Sequence, residues 1–237
     1  MNAMITPVRV AVIIPALNEE AALPLVLADI ARAVVDEVVV VDNGSSDHTI
    51  EVARAGGATV LVEPQRGYGA ACLAGIAHLQ RQAPDIVVFL DGDHSDHPDE
   101  IPHLIAPLVA GTHDLVIGSR TKGEADPGAL LPQARFGNAL ATWLIRRIYG
   151  FSYSDLGPFR AMRFPALLSL GMEDRNYGWT VEMQIKAIRK GLRITEVPVS
   201  YRKRAAGASK VTGTLKGTVL AGYKILWTVL RYTWRTT

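Results

Sequence analysis

A chain of 237 residues that is 49% hydrophobic and 20% charged is long enough to bury a full core and too apolar to be disordered. Its one cysteine, Cys72, excludes an internal disulfide and fits a reducing, cytoplasmic setting; within Gly69-Ala70-Ala71-Cys72 it reads as a buried thiol rather than a nucleophile. The net charge of +2 conceals an asymmetry, because Lys186 to Thr237 hold 12 Lys/Arg and one acid while the preceding residues are net acidic. Such a tail suits an anionic surface or substrate, or is simply a solvated face, and no nucleic-acid partner is expected.

In chain order, Val8–Ile14, Glu37–Val41, Thr59–Val62, Ile86–Leu90 and Leu115–Ile117 read as short β runs. The first of them is short and runs into Pro15, so it reads as a strand and not a secretory leader. Ala/Leu-rich helical segments lie between them at Glu19–Arg32, His48–Ala55 and Ala70–Arg81. The alternation predicts an α/β domain whose strands lie parallel, with right-handed crossovers and helices on both faces. Residues 119–135, rich in Gly, Pro and charge, read as a long loop. Helical patterns return over 136–149 and 178–190, a strand follows near Ile194–Tyr201, and a basic loop runs to Gly213. No uncharged apolar run approaches the roughly 20 residues of a membrane span, so the chain is not expected to cross a bilayer.

The pattern divides the chain into one domain over residues 1–212 and a terminal amphipathic helix over 213–237. On a helical wheel Lys216, Lys224, Arg231 and Arg235 form a stripe, Val219, Tyr223, Leu226 and Leu230 gather beside it, and Trp227 and Trp234 border both. That is the signature of a helix lying in a membrane interface; docking on the protein's own core is the alternative.

Parallel sheets bind ligands beyond the carboxyl ends of their strands. Three runs end in polar clusters that should share one rim: Pro15-Ala16-Leu17-Asn18-Glu19, Asp42-Asn43-Gly44-Ser45 and Asp91-Gly92-Asp93. The carboxylates of Asp91 and Asp93, two residues apart, are hard ligands suited to Mg²⁺ or Mn²⁺, which in turn can hold a diphosphate; capping of the next helix is the competing reading. Asp42 either accepts from a base or ribose or closes a turn, while Ser46 and Asp47 read as a turn and N-cap. Gly67-Tyr68-Gly69 follows the third strand and lacks a further glycine, so it permits close approach rather than marking a dinucleotide site. His94 and His97 have no cysteine partners and read as a polar loop, not a zinc site.

Together these segments resemble family 2 glycosyltransferases of the GT-A (Rossmann-like) fold, in the dolichyl-phosphate mannose synthase-like branch. The resemblance also runs through Gly118-Ser119-Arg120, Asp155-Leu156-Gly157-Pro158-Phe159-Arg160, Gly178-Trp179-Thr180-Val181-Glu182-Met183, Glu196-Val197-Pro198-Val199 and Gly207-Ala208-Ser209-Lys210. It implies a nucleotide pocket built from Pro15, Asn18, Glu19, Asp42 and Asp91. It makes Asp91 and Asp93 the metal acids, with Ser95 beside them and Asp93 at the reacting centre. It implies that Arg120, Arg135 and Asn138 hold an acceptor phosphate, and that Arg160, Arg204 and Lys210 close on diphosphate or acceptor. The implied reaction is inverting transfer from a UDP- or GDP-linked sugar to a polyprenyl phosphate, at the cytoplasmic face of a membrane contacted through residues 213–237.

Asn43 stands where many relatives have a second Asp, and Leu156-Gly157-Pro158 replaces Thr-Ser-Gly, so base and sugar stay open. A soluble hydroxyl acceptor would instead require a general base, for which Asp155 and Glu182 are candidates; the competing and preferred reading of each is an acid ion-paired with a nearby arginine. A nucleotidyltransferase would carry a Gly-rich basic first turn where this chain has the acidic Pro15–Glu20. Retention of Asp91 and Asp93 argues against a non-catalytic sugar-nucleotide binder.

Overall fold

The computed structural model describes residues 7–206 and 215–234. Seven strands form one sheet: β1 (Val10–Ala16), β2 (Glu37–Asp42), β3 (Thr59–Val62), β4 (Ile86–Phe89), β5 (Leu115–Ser119), β6 (Arg160–Arg163) and β7 (Ile194–Pro198), in the order β3-β2-β1-β4-β6-β5-β7. The pairings β1–β2, β1–β4, β2–β3 and β5–β7 are parallel, whereas β6 runs antiparallel to both β4 and β5. The helices are α1 (Leu23–Asp29), α2 (Thr49–Ala55), α3 (Tyr68–Leu79), α4 (Ile101–Val109), α5 (Pro132–Tyr149), α6 (Phe164–Leu170), α7 (Trp179–Arg189) and α8 (Leu215–Trp234).

Strand alternation sends side chains to two cores. Ala11, Ile13, Val39 and Val41 face one core with residues of α3, α6, α7 and α8. Val10, Val12, Ile14, Val38 and Val40 face the other with residues of α1 and α4. Burial on both faces explains why these strands are unbroken Val/Ile runs. The register aligns Ala16 with Asp42 and Ile13 with Phe89, so β1, β2 and β4 end on a common rim.

The sequence expectation of a mostly parallel sheet with helices on both faces holds, with β6 as the exception. β6 is Arg160-Ala161-Met162-Arg163, too short and too charged to register as a buried strand. Helix α5 starts at Pro132, inside the expected loop, with proline at the start of the helix, where its missing N–H costs nothing.

Helix α8 contacts both α5 and α7, and Val229 and Tyr232 enter the first core. The Tyr149 hydroxyl donates to the Val229 carbonyl at 2.6 Å. Of the expected basic stripe, Lys224 pairs with Asp174 at 2.9 Å and Arg231 with Glu173 at 3.7 Å, so these two charges face the protein. Tyr223, Trp227 and Leu230 are exposed. Among the described residues, no helix is long and apolar enough to cross a membrane. The expected boundary near residue 212, Lys210 and Arg235 lie outside the described residues.

Two glycines test this packing in opposite directions. A Cβ on Gly75 of α3 would lie 2.8 Å from an Ile13 side-chain carbon, whereas one on Gly137 of α5 meets nothing within 4 Å. Gly75→Leu is expected to cost about 2–3 kcal/mol by overpacking. Gly137→Ala is expected to add about 0.5–1 kcal/mol. Urea unfolding of both variants reads the outcome; equal effects would contradict the α3–β1 contact.

Candidate active site

Two cavities open beside the rim. The first, about 420 Å³, is lined by Pro15, Glu19, Asp91, Asp93, Tyr201 and Arg204 among others. The second, about 460 Å³, is lined on one side by α5 residues that include Arg135, Asn138, Trp143 and Arg146, and on the other by Arg120 and Asp155. Tyr201 borders the first cavity and Arg120 the second, and the Arg120 guanidinium lies 5.0 Å over the Tyr201 ring. This stacked pair is the partition between the two spaces.

The acids follow β4. Asp91 Oδ1 and Asp96 Oδ1 are buried without a hydrogen-bond partner. Burial, reinforced by the charges of Asp93 and Asp96, holds the Asp91 carboxyl well above the usual carboxylate range. Burial and then Asp93 push Asp96 up to about 7. Dehydrated hard oxygens with unused lone pairs fit a divalent cation. Among the described residues no three His, Cys, Asp or Glu side chains form a ready cage. The protein therefore offers one or two carboxylates, and water or ligand phosphate would complete the shell, as is usual for Mg²⁺.

A strap formed by residues 200–206 holds this loop in place. Arg202 donates to the His94 carbonyl at 2.6 Å and to Asp29 at 3.0 Å, while its own N–H donates to the Ser95 carbonyl at 2.9 Å. His94, at φ 63°, also meets Asp29 at 2.8 Å, and His97 pairs with Asp99. The two histidines thus bind different acids. Arg204 reaches Glu19 at 2.7 Å and Asp93 at 3.5 Å, bringing a fixed positive charge to the cleft.

Several expected site residues have other work. Ser95 is buried and does not line the cleft; its backbone N–H donates to Asp93 Oδ1 at 2.9 Å. Asn18 accepts from the Ser46 N–H at 2.8 Å and ties two rim loops together. The Asp42 carboxylate accepts from the N–H groups of Gly44 and Ser45, which is its turn-closing role. Neither Asn18 nor Asp42 lines the cleft, whereas Asn43 does, braced by the carbonyls of Glu63 and Gln65.

Three further candidates are held within the fold. Arg160 is fully buried and donates to the carbonyls of Leu156, Gly157 and Thr180, so it braces the chain and lines neither cavity. Glu182 is fully buried and accepts from the backbone of Glu173 and Asp174 and from the Tyr232 hydroxyl, besides pairing with Lys186. It lies outside both cavities, which matches the reading of Glu182 as a structural acid. Asp155 is 1% exposed and takes two side-chain bonds from Arg120, at 2.7 and 2.8 Å. Burial alone would raise its carboxyl, but Arg120 outweighs burial and holds it low, making it a poor proton acceptor.

Arg135 and Asn138 stand one turn apart on α5, and Asn138 donates to the Ser154 carbonyl while accepting from the Leu156 N–H. Arg135 and Arg146 line the second cavity with no acid partner among the described residues. Asp96 and Tyr201 are the residues that sequence reasoning did not assign. Asp96 sits five residues beyond Asp91, and Tyr201 ends the run after β7; neither position has a spacing signal of its own. The Gly67 and Gly69 positions are explained by backbone. A Cβ there would lie 2.0 Å from the Arg175 carbonyl and 2.1 Å from the Asp174 carbonyl.

Residues 11–169 match the family model described as "Glycosyl transferase family 2", and the chain belongs to that family. An uncharacterized glycosyltransferase of Mycobacterium tuberculosis is 41% identical over 90% of this chain and 94% of its own length. The undecaprenyl-phosphate mannosyltransferase of Micrococcus luteus is 34% identical over 88% of this chain and 90% of its own. Among solved structures, glucosyl-3-phosphoglycerate synthase from Mycobacterium tuberculosis, in complex with Mn²⁺, UDP-glucose and phosphoglyceric acid, matches at TM-score 0.77 and 27% identity. That match covers 97% of this chain and 81% of the synthase.

The Arg120–Asp155 pair should behave as one unit. Arg120→Met or Asp155→Leu alone leaves a buried charge unanswered and is expected to cost about 3–5 kcal/mol, while the double variant costs clearly less than the sum. Urea unfolding of the four proteins gives the coupling; strict additivity would contradict the pair.

Proposed function

We propose that this chain is a metal-dependent, inverting glycosyltransferase that moves a sugar from a UDP- or GDP-linked donor to a polyprenyl phosphate. The observation that carries this reading is the pair of cavities meeting at Arg120 and Tyr201, one holding Asp91, Asp93 and Glu19 with Arg66 and Arg204, and the other lined by arginines and apolar side chains.

Asp91 and Asp93 would hold Mg²⁺ or Mn²⁺, and the bound ion would neutralise charge on the departing diphosphate as a Lewis acid. Arg204, already aimed at Glu19 and Asp93, would add a second positive group on the same side. Arg135 and Arg146 would hold the acceptor phosphate by charge-assisted hydrogen bonds, with Arg120 pinned at the partition. Held this way, the two reactants face each other and little remains but displacement at the anomeric carbon.

A phosphate monoester with its second pKa at about 6 is dianionic at neutral pH and attacks without a base. That requirement agrees with Asp155 and Glu182 both being committed to other partners. The exposed Phe136 and Trp143 on α5, with Tyr223, Trp227 and Leu230 on the adjoining α8, suit a lipid tail or a membrane interface. The name of the Micrococcus luteus relative supports the same acceptor class.

A second reading is a soluble phosphorylated acceptor, favoured by the likeness to the synthase solved with phosphoglyceric acid. One assay separates the two. The chain with Mn²⁺ is given UDP-glucose or GDP-mannose, and either undecaprenyl phosphate in anionic vesicles or phosphoglyceric acid. The prenyl reading expects product only with undecaprenyl phosphate, flotation of the chain with the vesicles, and an acceptor KM raised at least about tenfold by Arg135→Ala at constant donor KM. Turnover of phosphoglyceric acid alone, by a chain that stays unfloated, would overturn it.

A further inference from the structure

The stretch from Gly171 to Gly178, between α6 and α7, has no regular structure of its own, yet its Asn176 and Tyr177 line the acidic cleft. On its inner side it lies directly on the start of α3. The Ala70 N–H donates to the Arg175 carbonyl at 2.9 Å, and the Gly67 and Gly69 contacts leave no room for a side chain between them. On its outer side its anchors come from elsewhere in the chain.

Asp174 is the first anchor. Its Oδ1 accepts from the Asn176 N–H at 2.8 Å, and its Oδ2 pairs with Lys224 of α8 at 2.9 Å. One carboxylate thus joins the C-terminal helix to a cleft-lining residue. Glu182 is the second. It accepts from the N–H groups of Glu173 and Asp174 at 2.9 and 2.7 Å and from the Tyr232 hydroxyl of α8 at 2.7 Å. Packing reinforces both, since a Cβ on Gly178 would lie 2.4 Å from Thr228 Oγ1 of α8. Both carboxylates are buried, at 7% and 0% exposure. Loss of Lys224 would leave the buried Asp174 charge without its ion pair at a desolvation cost, while Glu182, still paired with Lys186 at 2.7 Å, would lose the Tyr232 hydrogen bond alone.

We propose that α8 is a strut for the donor site: Lys224 and Tyr232, acting through Asp174 and Glu182, set the position of Asn176 and Tyr177 in the cleft wall. They are positioning residues and line neither cavity. The inference rests on the reading of that cleft as a nucleotide-sugar site, and it assigns the C-terminal helix a role in donor binding separate from any contact its outer face makes.

The test is calorimetric titration of the full chain with UDP, and separately with GDP, in Mn²⁺ and well below the unfolding temperature. Lys224→Met is expected to weaken the nucleotide that binds by about tenfold, and Tyr232→Phe to weaken it in the same direction. Lys224→Arg restores binding, and Thr233→Ala, an exposed α8 control, leaves it unchanged. Hydrogen exchange of the folded Lys224→Met chain should also speed up at the amides of residues 173–177, which a merely stabilising contact far from the cleft would not produce. Wild-type binding matched by Lys224→Met and Tyr232→Phe, with unaltered exchange, would overturn the strut alone. A wild type that binds neither nucleotide would overturn the donor reading and the strut with it.

Discussion

Three carboxylates crowded at the end of a buried strand must be answered by positive charge, and much of the rim is organised to meet that demand. Asp91 and Asp96 are buried near Asp93, which lines the cleft, and burial and the neighbouring acids raise both Asp91 and Asp96. The protein supplies part of the answer itself. Arg204 leans on Asp93, and Arg120 stands behind Asp96, its own charge held by Asp155. The unused oxygen of Asp91, which lines the cleft, marks what the protein leaves to a ligand. Such a site is costly to assemble, which accounts for the external clamp of Arg202 on the loop carbonyls.

The same logic divides the arginines into two kinds. Arg160, Arg120, Arg202 and Arg204 are tied to carbonyls or acids within the fold, and their guanidinium forks act as girders. Arg135 and Arg146 on α5 have no such partner among the described residues and line the second cavity. A charged group that the fold leaves unengaged beside a cavity is available to a ligand.

Much of this was legible in the sequence. The Val/Ile runs gave the strands, and the polar clusters after β1, β2 and β4 gave the rim, because both follow from local pattern. What stayed hidden depends on tertiary pairing. β6 hid because a buried strand flanked by arginines looks polar; only its carbonyl partners make Arg160 compatible with the core. Asp155 and Glu182 look alike as candidate bases in sequence, and the structure commits one to Arg120 and the other to the backbone of a loop and to α8. Lys224 reads as a surface charge on a helical wheel, yet its partner Asp174 is 50 positions away. Membership in glycosyl transferase family 2 agrees with the motif order, since that order encodes the rim rather than any one pair of side chains.

In the proposed reaction Asp91 and Asp93 would together grip a divalent ion that anchors a sugar donor's diphosphate. The most direct measurement is Mn²⁺ binding followed by electron paramagnetic resonance, with and without UDP or GDP, in the wild type and in Asp91→Asn and Asp93→Asn. Weak Mn²⁺ binding alone is expected, tightened by one nucleotide in the wild type and lost by at least about tenfold in either variant. Nucleotide binding that is indifferent to Mn²⁺ and to both substitutions would contradict it.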